Sequence, residues 1–79
     1  MRKIFRVERH GRHVGVSPEP AHFIEYLPGD FETYKQARSF IFQHIASYPY
    51  HGFNEERGYW WGRAPDADLA HIYTVRFPD

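Results

Sequence analysis

TYKQARSFIFQHIASYP, residues 33–49, contains the one clear helix of the chain. Tyr34, Ala37, Phe40, Ile41, His44, Ile45 and Tyr48 fall at offsets 0, 3, 6, 7, 10, 11 and 14, a single apolar stripe running to Tyr48. Thr33 and Gln36 stand at capping-box spacing, with Asp30 as a second candidate cap. Pro49 and Gly52 end the helix. Lys35, Ser39 and Ala46 take the opposite face, with Arg38 at its border. One stripe needs one apolar surface to lie on, and the rest of the chain must supply it.

That surface reads as a sheet. Residues 3–9, KIFRVER, alternate, with Phe5 and Val7 on one side and Arg6 and Glu8 on the other. HGRH (10–13) reads as a turn, and VGV (14–16) as the start of the returning strand. Pro18 and Pro20 interrupt it, which suits an edge or a bulge. AHFIEYL (21–27) reads as strand up to Pro28-Gly29. After the helix, residues 49–57 read as loop, 58–64 as a third strand, 65–68 as a turn and 69–77 as a fourth strand rich in β-formers. The expected fold is α+β, a single domain over residues 1–79 in the order β-β-α-β-β. One helix packs on a four-stranded, mainly antiparallel sheet.

Trp60 and Trp61 decide the two faces. Neighbours on a strand point to opposite sides. Trp60, Gly62 and Ala64 form one set, and small residues beside a large one suit the face under a helix. Trp60 is therefore expected in the core. Tyr59, Trp61 and Arg63 are left on the open face. On the fourth strand, Leu69, His71, Tyr73, Val75 and Phe77 oppose Ala70, Ile72, Thr74 and Arg76, and neither set is cleanly polar. Either the loops at 17–20 and 49–57 fold over this face, or an aromatic patch stays open for a partner.

Composition narrows the function classes. Fifteen of 79 residues are Phe, Tyr or Trp, and there is no cysteine to form a disulfide or thiolate site. No apolar run approaches the ~20 residues of a membrane span, and the amino-terminal residues are charged where a signal peptide needs an apolar run. A cytoplasmic location is expected. Net charge is zero, but residues 1–13 hold five basic residues against Glu8 alone, leaving the remainder acidic. Neutrality argues against a dedicated nucleic-acid binder.

Six histidines invite a metal, and His10 and His13 are the closest pair, but no carboxylate or cysteine stands at supporting spacing. Ser17, Ser39 and Ser47 lie in no nucleophile setting, Asp66 and Asp68 fit a turn, and Glu55-Glu56 a solvated loop. Neither GxGxxG nor a Walker pattern is present, so no cofactor is called for. The resulting expectation is a non-enzymatic module that binds a protein partner, as an adaptor or inhibitor of the kind mobile genetic elements also encode, with a homodimer as one form. Its binding residues are expected to be Tyr59, Trp61, Arg63, Arg76 and Phe42, because aromatics and arginine dominate hot spots. The alternative is a single-stranded nucleic-acid binder, its sheet aromatics stacking bases while Arg2, Lys3, Arg6, Arg9 and Arg12 meet phosphates. A second alternative is a metal-binding or catalytic protein that uses the histidines.

Overall fold

The helix forms where the stripe predicts it. In the computed structural model, which describes residues 4–13 and 21–78, α1 spans Tyr34–Ile45. Thr33 takes an extended conformation and its Oγ1 accepts from the Gln36 N–H. The Gln36 side chain accepts from the Thr33 N–H in return, completing the capping box. Thr33→Ala should remove about 1 kcal/mol of stability, measurable by urea denaturation. The helix stops one turn before Tyr48, which lies in the turn that follows it. Ala37, Ile41 and Ile45 are buried.

Five strands lie beneath it: β1 (Arg6–His13), β2 (His22–Tyr26), β3 (Tyr50–Asn54), β4 (Tyr59–Arg63) and β5 (Leu69–Arg76). All pairings are antiparallel, in the order β2-β1-β5-β4-β3. The expected architecture holds with one strand more than foreseen. The extra strand is β3, in the segment read as loop. Its Asn54 closes a hairpin onto β4: the carbonyl accepts from Gly58 N–H at 2.8 Å, and Oδ1 from Arg57 N–H at 3.1 Å. Gly58 sits at φ +73°, a conformation that favours glycine. A second correction concerns HGRH. It is no turn but the second half of β1, paired with β5 from His10↔Ile72 to His13↔Leu69. Gly11 takes no turn there; a Cβ would lie 2.8 Å from Ile24 Cδ1, the movable end of that side chain. The strand expected at 14–16 and the two prolines after it lie outside the described residues.

The core sits between α1 and one sheet face. Val7, Leu27, Ala37, Ile41, Ile45, Trp60 and Tyr73 form it. Trp60 is 3% exposed, as the strand parity predicts. Gly62, on the same face, lets the helix end come close: Tyr48 Cδ2 would stand 2.6 Å from a Cβ there. At the other end Phe31 packs on Phe40, and Phe77 on both Phe5 and Tyr34, with ring centroids 5.2–5.4 Å apart.

Candidate functional site

The register fixes which side chains share the face turned away from α1. Val7, Tyr73 and Trp60 are core residues, so their paired neighbours in the opposite parity point outward. Phe23, His10, Ile72, Trp61 and Gly52 therefore form one row across all five strands. Ile72 is buried yet stands outside the core cluster, so this face has a small apolar centre of its own. Trp61 leans across the sheet and covers Gly52. Its Cζ2, Nε1 and Cε2 all lie 3.2–3.3 Å from where a Gly52 Cβ would be, so the indole rests flat on the strand. Beside it Tyr50, Trp61, Arg63 and Ala70 line a shallow hollow of about 310 Å³. The Arg63 guanidinium stands over the Tyr50 ring at 5.6 Å, and the Arg6 guanidinium over Tyr26 at 4.1 Å.

Charge on this face is one-sided. Its strand residues include Arg6, Arg12, Arg63 and Arg76 but only one carboxylate, Glu8, which lies 3.6 Å from His10. Asp30 reaches the rim, 3.9 Å from Arg6 Nε, with both side chains exposed. Such a pair contributes little. The arginines ring an apolar middle.

Of the expected binding residues, Tyr59, Trp61, Arg63 and Arg76 do share this face. The Tyr59 hydroxyl accepts from Asn54 Nδ2 at 3.3 Å. Phe42 does not join them. It sits on α1 and meets the edge of Trp60 with centroids 6.1 Å apart, on the covered side. The residues assigned to phosphate contact are also divided. Arg6 and Arg12 face outward, Arg9 turns under the helix to donate to Glu25 at 2.7 Å, and Arg2 and Lys3 lie outside the described residues. Parity splits the histidine pair as well. His10 is on the open face against Phe23, and His13 on the other, stacked with His22. Among the described residues no group of three His, Asp or Glu side chains converges as a metal site. Sequence reasoning missed Tyr50, Gly52, Phe23 and Tyr26 as members of the face. The Asn54-to-Gly58 spacing after an aromatic run was the available hairpin signal.

A second polar group lies under the end of α1. The Tyr48 and Tyr73 hydroxyls hydrogen-bond at 3.1 Å, and the His44 ring meets Tyr73 edge-on at 5.1 Å. His71 packs on Tyr48, and its Nδ1 is buried without a partner among the described residues. Burial and the Tyr48 bond push the Tyr73 phenol far above its ordinary value. Burial first, then the charge of Arg9 and the nearby His44, lowers His71 below its ordinary 6.5. These groups fasten helix to sheet, and the hollow with the aromatic lining lies on the opposite face. The unfolded chain binds a proton at His71 more readily than the folded one. Stability from this site is thus fully present above pH 6.5 and falls as pH drops to the folded value, below which it levels off. Urea midpoints should decline across that window, and His71→Gln should flatten the decline.

No protein-family model matches the chain, and neither a curated protein nor a solved structure matches it. No helix among the described residues is long and apolar enough to cross a membrane.

Proposed function

We propose that the protein is a non-enzymatic binding module whose open sheet face holds an acidic segment of a protein partner. The observation that carries this reading is the arrangement of that face: an apolar row through Ile72 and Trp61, ringed by four arginines against Glu8 and the rim carboxylate Asp30. An apolar centre within a polar rim is the usual anatomy of a protein interface. Trp61 is its anchor, with Arg63 and Tyr50 beside it.

Two charge arguments define the partner. A second copy set face to face would bring like-charged arginine rims together, which disfavours self-association through this surface. A nucleic-acid strand running along β4 meets Glu55 and Glu56 in the turn at one end and Asp66 and Asp68 at the other. Those four carboxylates repel a continuous polyanion, whereas a short acidic peptide ends before reaching them. Glu8 and the neutral overall charge add to the preference for protein.

The test is selection from a displayed library of random peptides on the wild-type protein. Enriched peptides should be rich in Asp and Glu, and should lose binding when Arg63 is changed to Glu. Peptides of no charge preference, or tighter binding of oligothymidylate than of any peptide at physiological salt, would contradict the proposal.

A further inference from the structure

The two edges of the sheet are built differently. β2, at one edge, carries Glu25 and pairs with β1 through a register shift between Arg9 and His10. A bulge and an inward charge are devices that keep an edge from pairing with other chains. β3, at the other edge, has neither. Its five residues, YHGFN, contain no Asp, Glu, Lys, Arg or Pro, and they pair with β4 in unbroken register. Among the described residues no strand lies beyond it. Large apolar side chains flank the edge on both faces: Tyr50 on the open side and Phe53 and Phe42 on the helix side, 50%, 44% and 52% exposed.

We infer that the outer edge of β3 pairs antiparallel with β3 of a second copy, about a two-fold axis at Gly52. The strand is suited to its own reverse. Centred on Gly52, the pairing sets Tyr50 against Asn54 of the second copy and His51 against Phe53, with no ionised pair of like sign in either strand. Glycine at the centre brings no side chain of its own to the axis, and the Trp61 indole of each copy lies over its own Gly52 on the open face. The same axis brings the turn after Asn54 beside Tyr50 of the other copy. That turn, with Glu55 and Glu56 against Arg57, is net acidic and comes beside the Arg63 that covers Tyr50. The complementarity occurs twice, once on each side of the axis. The product is a ten-stranded sheet with both helices on one side and both open faces on the other. This inference is independent of what the open face binds, and it gives that face two copies side by side.

Light scattering tests it directly. The wild type should tend to twice the 9.5 kDa chain mass as concentration rises. His51→Lys, an exposed edge position, should return it to monomer at the same concentrations with its circular dichroism unchanged. Phe23→Lys, on the opposite edge, should leave the dimer intact. Because the chain has no cysteine, Tyr50→Cys/Asn54→Cys should give a covalent dimer on mild oxidation, whether or not the lysine variant folds. A monomer at all concentrations overturns the inference. So does a dimer that His51→Lys leaves intact or that the paired cysteines fail to trap.

Discussion

Trp60→Ala should cost about 3–5 kcal/mol of folding free energy, the usual range for removing a buried tryptophan from a core. Trp60 is 3% exposed, lies between α1 and the sheet, and packs on Phe42 edge-on and on Phe53 at a tilt. A chain of 79 residues buries only about 60% of its unfolded surface, so its total stability is small. Losing that much leaves a large unfolded fraction at room temperature. Urea denaturation followed by circular dichroism measures it. Gly62, its neighbour on the same face, has no side chain to refill the space, and the Tyr48 ring already fills the gap above that glycine. One feature of Trp60 works against it. Its indole Nε1 is buried with no acceptor among the described residues, so Trp60→Phe should recover much of the loss.

Trp61→Ala should behave in the opposite way. Its indole covers Gly52 and one wall of the shallow hollow, but it is not part of the core cluster. Folding stability should change by far less than in Trp60→Ala. Binding of a selected acidic peptide should weaken by about 2 kcal/mol or more, roughly a 30-fold rise in Kd, as expected for a central aromatic anchor. Isothermal titration of both variants against one peptide separates the two tryptophans. Equal stability losses, or unchanged peptide affinity in Trp61→Ala, would break the assignment of the faces to their roles.

The opposite facing of these adjacent residues was legible in the sequence. Strand parity and the small partners of Trp60 were enough to place it under a helix whose stripe was already clear. The capping box at Thr33 and Gln36 was legible for the same reason: it is local chemistry at fixed spacing. The fifth strand was not. Pro49 and Gly52 read as breakers, yet Pro49 only ends the helix. Gly52 is accepted within β3 because Trp61, two strand positions from the turn, lies on it. That contact is tertiary and leaves no local mark. HGRH failed similarly. Gly11 and its polar neighbours suggest a turn, but the glycine lies within β1, where the side-chain ends of Ile24, Leu69 and His22 crowd its Cβ position. Phe42 is exposed, as its place off the stripe suggests, but periodicity alone did not say that it lies on the helix side of the sheet. Its partner is Trp60, reached from the side. The positive character of the open face was hidden by the overall neutrality, since parity separates Arg6 and Arg12 from Arg9 within one strand.

The most direct test of the central claim uses the two indole N–H signals of the nitrogen-15-labelled protein, assigned with Trp61→Phe and followed during titration with a selected acidic peptide. The account predicts that the Trp61 signal moves progressively with peptide while the Trp60 signal stays in place. A Trp60 signal that moves while Trp61 does not would mean that the peptide enters from the helix side, and the open face would no longer be the binding surface.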